Sequence, residues 1–406
     1  MRDTQLFQQA LGLAWPWRVI RSEFDTERSR LDLYLDFEPG ATFGCPECGV
    51  AGCKAHDTEE KTWRHLNFFQ HEAYLHARTP RVRCAQCGVK LVTVPWARAG
   101  SGFTLLFEAL VMTLVREMPV AAIARLVCEH DTRLWRIIHY HVDAARAEAD
   151  FSSVRSVGMD EKASRRGHNY LTLFVDLEAS RLLFATESRE STTLTAFRED
   201  LEQHGGRASQ IEEFCLDMWP PYLKGIRDSF PTASVTFDKF HVMKLLNEAV
   251  DKVRRQEQRE RPELKRSRYI WTTNPENLSP DQFALMDVLN MSKLKLKTAR
   301  AYRMRLAFQE FWSTDTSLAE TFLKRWYFWA THSRLVPMIY VARTLRRHQA
   351  GVLRWMESRI SNGILEGINS LLQAAKAKAR GYRSSRNLIA MAFLLAGKLE
   401  FRLLPT

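Results

Sequence analysis

The chain has 406 residues, of which 45% are hydrophobic and 11% aromatic, enough apolar material for the cores of two or three globular domains. Its formal net charge is +12 at pH 7, and the basic residues are concentrated in runs such as 291–309, which favours a polyanionic partner such as nucleic acid, although a single run also fits a solvated helix face. The N-terminus has no apolar signal segment and residues 388–397 are too few to span a bilayer, so we expect a cytoplasmic, nucleoid-associated protein and no membrane.

Four of the seven cysteines form two Cys-x-x-Cys pairs, Cys45 with Cys48 and Cys84 with Cys87. Two such turns supply four thiolates to one tetrahedral Zn²⁺, and four thiolates leave no open position for water, so the pattern predicts a structural zinc site. Disulfide bonds are the alternative, but a cytoplasmic chain keeps its thiols reduced. The separation of 36 residues between Cys48 and Cys84 exceeds the usual ribbon spacing. The intervening segment contains other possible ligands, which are Cys53, His56, His65, His71 and His76.

Residues 1–98 are predicted to form this N-terminal zinc-binding β module, with extended segments at 71–84 and 89–96. Residues 99–150 are then predicted to form three short helices with a tight turn before the last one. This order is typical of a helix-turn-helix, whose last helix would present Arg133 and Arg136 to a DNA major groove. An ordinary three-helix bundle has the same spacing, and the basic charge favours the DNA-binding interpretation.

Five strand-like segments follow, and their order indicates an α/β catalytic core. They cover 154–160, 170–177, 181–186, 211–217 and 233–238. Three consecutive strands followed by helix, strand, helix and strand are the order of a ribonuclease H-like fold. In that fold the first and fourth strands are neighbours, so Asp160 and Asp217 at their ends would face each other.

Each of these carboxylates has a structural explanation when it is considered alone. Asp217 could cap a helix, and Glu366 could simply favour the first turn of a helix capped by Asn362 or Gly363. Together the three acids meet a chemical requirement, because two hard divalent cations need several carboxylates converging on one point. We therefore predict a site for Mg²⁺ or Mn²⁺ formed by Asp160, Asp217 and Glu366.

Four motifs closely resemble the ISL3 family of bacterial insertion-sequence transposases. They are "VGMDEKA", "CLDMWPPY", "FDKFHVMK" and "SNGILEGINSLLQAAKAKARGYRS". The resemblance runs from the cysteine pairs to the C-terminus, and its most specific parts are Asp238-x-x-His241 and the segment from Asn362 to Asn369.

The resemblance implies a DDE transposase whose catalytic acids are Asp160, Asp217 and Glu366. It also implies a ribonuclease H-like core of residues 151–255 and 352–406, interrupted by a mostly helical insertion over 256–351. Asp238 competes with Asp217 for the second catalytic position, and we prefer Asp217 because the fourth strand neighbours the first.

Four further residues complete the expected site. Asp238 and His241 are assigned a supporting role by the resemblance to related enzymes, although a buried histidine satisfied by Asp238 would have the same sequence. Lys376 and Arg380, on or near the helix of Glu366, are candidate phosphate contacts, and Gly381 is expected to end that helix.

The expected function is a DNA transposase that binds the terminal inverted repeats of its element and cleaves and joins strands with Mg²⁺ or Mn²⁺. The expected partner is double-stranded DNA, at the transposon ends and the target, with a homodimer or larger assembly on paired ends. Two alternatives remain open, a non-catalytic DNA-binding regulator derived from a transposase and a structure-specific metal-dependent nuclease.

Overall fold

The computed structural model describes residues 3–163, 170–188, 190–290 and 294–403, so the start of the basic run at 291–293 lies outside the described residues. The chain divides into two compact units. The first contains residues 1–147, 377–380 and 399–406, and the second contains residues 148–376 and 381–398. None of the helices in the described ranges has the length and apolar character needed to cross a membrane.

The first unit begins with a short helix and a six-stranded sheet. The elements are α1 (Asp3–Ala10), β1 (Trp17–Asp25), β2 (Arg30–Phe37), β3 (Thr42–Phe43), β4 (Cys53–Phe68), β5 (His71–Cys84) and β6 (Gly88–Leu91). The strand order is β1-β2-β5-β4-β3, with β6 paired to β5. Three tryptophans meet in its core, where the ring of Trp96 lies 4.8 Å from that of Trp17 and 5.6 Å from that of Trp63.

The long hairpin of β4 and β5 explains the wide spacing of the cysteine pairs. The two strands pair antiparallel from Ala55 with Val82 to Phe68 with His71. The chain therefore travels outward along β4 and returns along β5, which brings Cys84 back to the level of Cys53. Most of the residues between Cys48 and Cys84 belong to this hairpin.

Three helices follow in the same unit, α2 (Leu105–Glu117), α3 (Val120–Leu126) and α4 (Asp131–Ala147), as predicted. The hydroxyl of Thr104 caps α2 by accepting from the Phe107 amide. Glu108 of α2 is fully buried and accepts from Nε2 of His141 in α4 at 2.7 Å and from Nε of Arg98 at 2.9 Å. These charge-assisted hydrogen bonds fix α4 against α2.

The second unit contains a five-stranded mixed sheet of order β11-β10-β7-β8-β9. The strands are β7 (Ser156–Ala163), β8 (Tyr170–Asp176), β9 (Arg181–Thr186), β10 (Glu213–Leu216) and β11 (Ser234–Phe237). β10 is parallel to both β7 and β11, whereas β8 is antiparallel to β7 and β9. The first and fourth strands of this sheet are therefore neighbours, in agreement with the strand order expected from the sequence.

Helices cover this sheet and form a separate core beyond its β11 edge. They are α5 (Thr192–Gln203), α6 (Pro220–Ser229), α7 (Lys239–Glu257), α8 (Arg268–Thr272), α9 (Pro280–Asn290), α10 (Lys297–Gln309), α11 (Thr316–Thr331), α12 (Val336–Arg347), α13 (Gln349–Ser358), α14 (Gly363–Lys378) and α15 (Ser385–Ala396). Aromatic side chains such as Trp271, Phe308 and Trp326 are buried in the helical core. The predicted segment boundaries at 255/256 and 351/352 fall within α7 and α13.

Candidate active site and zinc site

Three aspartates occupy one row across the neighbouring parallel strands β7, β10 and β11. The last pair between β10 and β7 is Cys215 with Gly158, and the last pair between β10 and β11 is Leu216 with Phe237. Continuing both registers places Asp217 opposite Asp160 on one side and opposite Asp238 on the other. Asp217 and Asp238 each follow their strand by one residue. Asp160 lies inside β7, which the sequence had predicted to end there, because β7 continues to pair with β8 as far as Ala163.

Asp160 is held by two hydrogen bonds and is largely shielded from water. Its Oδ1 accepts from the Glu161 amide at 2.8 Å, and its Oδ2 accepts from Nδ2 of Asn369 at 2.6 Å. Burial raises the pKa of Asp160 above the ordinary value of 3.8, and the charge of His241 only partly offsets that effect. A buried carboxylate of this kind is stabilised by a nearby cation.

Asp217 accepts from the Trp219 amide at 3.0 Å. Burial raises the pKa of Asp217, and the negative charges of Glu161 and Asp160 raise it further. The carboxylates of Asp160 and Asp217 are thus close enough to repel each other. A cavity of 480 Å³ opens beside Asp217, and its lining includes Trp219, His241, Lys244 and Arg347.

His241 links the outermost aspartate of the row to Asp160. Its Nδ1 lies 3.2 Å from Oδ2 of Asp238, which is only 1% exposed, and its Nε2 lies 3.9 Å from Oδ1 of Asp160. Burial lowers the pKa of His241, but its ion-pair contact with Asp238 and the charges of Asp160 and Asp217 outweigh that effect, so the net pKa is raised. The imidazolium is therefore favoured beside two carboxylates.

Two asparagines bond helix α14 to the aspartate row, one at Asp238 and the other at Asp160, the two ends of that row. The backbone amide of Asn362 donates to Oδ1 of Asp238 at 3.3 Å, and its Nδ2 donates to the Met159 carbonyl at 3.2 Å. About two helical turns further along, Nδ2 of Asn369 donates to Oδ2 of Asp160. Asn362 precedes the helix, as predicted, but its side chain holds β7 and does not cap the helix.

Glu366 lies on α14 between Asn362 and Asn369, the two residues that bond this helix to the aspartate row. It lies four residues after Asn362 and three before Asn369, so the three residues share one side of α14. Unlike the aspartates, Glu366 is exposed. The structure thus aligns the two strand acids and brings the helix of Glu366 to them.

The three predicted acids are more widely spread than the ligands of one bound ion. Within the described ranges, only the four cysteines form a group of three or more His, Cys, Asp or Glu residues whose ligand atoms lie within 4.8 Å of one another.

The donors available here nevertheless fit Mg²⁺, which prefers hard oxygen ligands. Besides the carboxylates, Oδ1 of Asn369 is buried and has no hydrogen-bond donor among the described residues. Because the amide nitrogen of Asn369 faces the Asp160 carboxylate, which can only accept, its oxygen is directed away from that bond.

The zinc site is formed by Cys45, Cys48, Cys84 and Cys87, as predicted. Sγ of Cys48 lies 3.6 Å from Sγ of Cys84, close to the roughly 3.8 Å that separates two sulfurs bound to tetrahedral zinc. Backbone amides of Cys87 and Gln86 lower the pKa of Cys84 to about 7, whereas the Cys48 thiol raises the pKa of Cys87 to about 12.

The alternative ligands have other contacts. Cys53 lies 3.6 Å from the Val50 carbonyl, His56 contacts Arg83, and His65 contacts Thr104. Of the other two histidines, His71 packs against Phe24 and His76 bonds Asp32.

The residues predicted to contact DNA differ in their solvent exposure and in their contacts with other side chains. Nη1 of Arg133 donates to Glu129 at 2.6 Å, and its guanidinium lies 4.4 Å from the Phe103 ring centroid. Arg136, three residues further along α4, is exposed. Lys376 lies within α14 and Arg380 just beyond its end, where the Gly381 amide donates to the Lys376 carbonyl and ends the helix.

Two contributors were missed in the sequence. Asn369 is the last residue of the motif from Asn362 to Asn369, but the sequence alone does not indicate its contact with Asp160. Glu161, next to Asp160, accepts from the Tyr222 hydroxyl at 2.7 Å and so connects β7 to α6. Both Asn369 and Glu161 lie in the motifs that contain the predicted acids, and this position is the one feature of the sequence that could have indicated a role for them.

Three family models together match most of the chain. A transposase model matches residues 157–392, a model of the helix-turn-helix domain of transposase family ISL3 matches residues 92–142, and a zinc-finger model of the IS204, IS1001, IS1096 and IS1165 transposases matches residues 41–87. The last of these covers all four clustered cysteines, and together they support a structural zinc site.

Curated relatives match over nearly their full length. The chain is 29% identical to the transposase for insertion sequence element IS1557 of Mycobacterium tuberculosis, over 98% of this chain and 96% of the relative. It is 28% identical to the transposase for insertion sequence element IS1001 of Bordetella parapertussis, over 94% and 96% respectively.

Proposed function

Because the chain belongs to the ISL3 family of transposases, we propose that it binds the terminal inverted repeats of its own insertion sequence and cleaves and joins DNA strands at the aspartate row. It is a DNA transposase with a helix-turn-helix domain that binds DNA. The observation that carries the chemical part is the register that places Asp217 opposite Asp160, beside the helix of Glu366.

The strand order β9-β8-β7-β10-β11 supports a ribonuclease H-like core. We propose that residues 151–255 and 352–406 form this core and that residues 256–351 are a helical insertion. The zinc-binding module would then occupy residues 1–98 and the helix-turn-helix domain residues 99–150.

Asp160, Asp217 and Glu366 would hold two Mg²⁺ or Mn²⁺ ions. When bound, such a pair supplies activation of the attacking oxygen and stabilisation of the leaving oxygen in an in-line displacement. The chain's own contribution is to fix the ligands: Asn369 orients Asp160, and the Trp219 amide orients Asp217.

Asp217 is preferred to Asp238 as the second acid. Both oxygens of Asp238 are already engaged, one by the Asn362 amide and one by His241, and the residue is 1% exposed. Asp217 instead faces the 480 Å³ cavity. Asp238 and His241 would therefore support the site by placing a positive charge beside Asp160.

DNA would be held by basic residues at several places in the chain. Arg133 and Arg136 of α4 are proposed to contact the end sequence, and Lys376 and Arg380 the phosphates. Joining two element ends requires two such sites, so we propose a homodimer or larger assembly on paired ends.

The decisive experiment is a cleavage and strand-transfer assay on labelled element ends with Mg²⁺ or Mn²⁺. We expect Asp160→Ala, Asp217→Ala and Glu366→Ala to lose both activities while still binding the ends. Asp228→Ala, which removes an exposed carboxylate of α6, is the matched control.

The outcomes separate the remaining alternatives. Binding of the ends without cleavage or joining by the unmodified protein would indicate a DNA-binding regulator. Full activity of all three variants would refute the assignment of these three acids. Cleavage without joining by the unmodified protein would indicate a nuclease. An inactive Asp238→Ala beside an active Asp217→Ala would transfer the second catalytic position to Asp238.

A further inference from the structure

A second and larger groove lies along α7. Its volume is 740 Å³, and it is lined by residues of α7, α8 and α10 and by Asn274, just after α8. Buried Arg305 forms part of its floor, where its Nε donates to Asn247 at 3.0 Å and its Nη1 donates to Gln309 at 2.7 Å. The guanidinium of Arg305 is therefore held in place by hydrogen bonds to protein side chains.

The rim of the groove is positively charged. With Arg305 of the floor included, six basic side chains line the groove, against the two acids Glu248 and Asp251. Asp251 is itself neutralised, since guanidinium nitrogens of Arg254, Arg255 and Arg268 lie 2.8, 3.2 and 4.0 Å from its oxygens. Lys252 is exposed and forms no ion pair with any described residue. The groove thus presents an excess of positive charge to an anionic ligand.

Two aromatic rings stand at the same groove with much of their surface open to solvent. Phe240 is 51% exposed and Tyr269 is 69% exposed. Positive charge combined with exposed rings is the arrangement that binds single-stranded nucleic acid, because unpaired bases stack on the rings while cations follow the backbone. Bases within a duplex are already stacked and cannot use such rings.

The groove is continuous with the candidate active site across α7. Lys244 and Glu248 line both the groove and the 480 Å³ cavity that contains Asp217 and His241. A strand that leaves Asp217 therefore needs to cross only one helix, at Lys244, to enter the groove.

We infer that the groove binds the unpaired DNA strand that extends from the scissile position, with bases on Phe240 and Tyr269 and phosphates on Lys244 and Lys252. The inference rests on the proposed function, because that function places a DNA strand end at Asp217. It adds a preference for ends that carry, or can open into, a single-stranded segment.

The test compares two fluorescent DNA probes, a blunt duplex of the element end and the same duplex with a single-stranded tail of about ten nucleotides at the cleavage position. Affinities are measured by anisotropy with Ca²⁺ in place of Mg²⁺, so that binding is read without cleavage. We expect the unmodified protein to bind the tailed probe more tightly than the blunt duplex. Phe240→Ala and Tyr269→Ala should each lower the affinity for the tailed probe about tenfold and change the affinity for the blunt duplex little.

Charge is tested separately by Lys252→Glu. This variant should weaken binding of the tailed probe and reduce the salt dependence of that binding by more than it does for the blunt probe. The matched controls are Phe328→Ala and Lys324→Glu, which change an exposed ring and an exposed lysine of α11 outside the groove. Both controls should leave the preference for the tail intact.

Equal affinity of the groove variants and the unmodified protein for the tailed probe would overturn the inference, as would equal losses on both probes. Such a result would leave the proposed function standing if Asp160→Ala still abolished cleavage. Conversely, a tail preference that depends on Phe240 and Tyr269 in a protein whose Asp160→Ala variant still cleaves would preserve the groove and refute the catalytic assignment.

Discussion

The side chain of Asn369 donates a 2.6 Å hydrogen bond to Oδ2 of Asp160 across 209 positions of the chain. This bond joins α14 to the central strand of the sheet. Since the other oxygen of Asp160 accepts from the Glu161 amide, both oxygens have fixed orientations. Asn369 is thus the contact through which the helix of Glu366 positions the first acid of the row.

Replacing Asn369 by alanine should impair the site without unfolding the chain. Loss of an outer hydrogen bond to a metal-binding carboxylate typically costs about 10–100-fold in metal affinity or activity. We therefore expect Asn369→Ala to raise the Mg²⁺ concentration needed for half-maximal cleavage by about that factor. Gln373→Ala, an exposed amide of the same helix, should leave the Mg²⁺ titration unchanged. A lower cleavage rate with an unaltered titration would show that Asn369 does not position a metal ligand.

Gly158 allows α14 to approach β7 closely. A Cβ at this position would lie 2.7 Å from Cδ1 of Leu365 and 2.7 Å from Cδ2 of Leu177. Gly158→Ala should therefore push α14 away, destabilise the protein by about 1–3 kcal/mol and reduce cleavage. Thermal unfolding and the cleavage assay measure the two effects.

Gly367→Ala on the same helix is the control for that change. A Cβ at Gly367 meets nothing within 4 Å, so alanine should leave cleavage intact and stabilise the helix by up to about 1 kcal/mol. If Gly158→Ala unfolds at the unmodified temperature with full activity, close packing of α14 on β7 is not required.

The strands of the second unit were predictable because their burial leaves a clear signal. Segments such as β8, buried along almost its whole length, read as continuous apolar runs. In contrast β4 was missed, because its sequence is largely polar, half of its residues are exposed, and it shows no regular alternation of apolar and polar residues. The end of β7 was also misplaced, since pairing with β8 beyond Asp160 depends on a partner strand and not on local sequence.

The positions of Asp160 and Asp217 on neighbouring strands were predictable from the sequence, whereas the contacts that hold them were not. Asp160 and Asp217 could be assigned because a strand order fixes which strand ends are neighbours. The contacts of Asn362 and Asn369 could not, because they join residues more than 200 positions apart through the packing of a helix. The groove along α7 was equally invisible, since it depends on how α7, α8 and α10 pack.

Arg136 and Arg133 of α4 should behave differently on DNA. Arg136 is exposed, so Arg136→Ala should weaken binding of an element-end duplex and reduce the slope of log affinity against log salt by about 1 if it contacts a phosphate. Arg133 is engaged by Glu129 and the Phe103 ring, so Arg133→Ala should also lower the unfolding temperature. Identical effects of both variants on unfolding and on the salt slope would contradict this distinction.

The zinc content of variants tests the ligand set. We expect one zinc per chain in the unmodified protein, and loss of that zinc in Cys48→Ser and Cys84→Ser, because three thiolates cannot complete the closed tetrahedral site. Cys53→Ser should retain zinc, since Cys53 lies near the cluster but outside it. Metal content is read by atomic emission after dialysis. A zinc-free Cys53→Ser protein that remains folded would place Cys53 among the ligands.

Asp217→Asn should stabilise the protein when divalent cations are removed. Burial and the neighbouring charges of Glu161 and Asp160 raise the pKa of Asp217 above the 3.8 of an unfolded chain. At pH values above 3.8 the unfolded state therefore ionises this group more readily, and stability falls as pH rises through the folded pKa. Asparagine removes that penalty and can still accept from the Trp219 amide.

The measurement is the unfolding temperature with EDTA and with Mg²⁺. In EDTA at pH 7 the variant should unfold at a higher temperature than the unmodified protein, and the difference should shrink as the pH falls toward 4, where the carboxyl group becomes protonated in both states. In Mg²⁺ the order should reverse, because only the unmodified protein retains the carboxylate that binds the ion and gains stability by mass action. If the Asp217→Asn protein were less stable than the unmodified protein in EDTA, interactions within the protein alone would be sufficient to stabilise the ionised Asp217 carboxylate. The proposal that this carboxylate needs a bound cation would then be wrong.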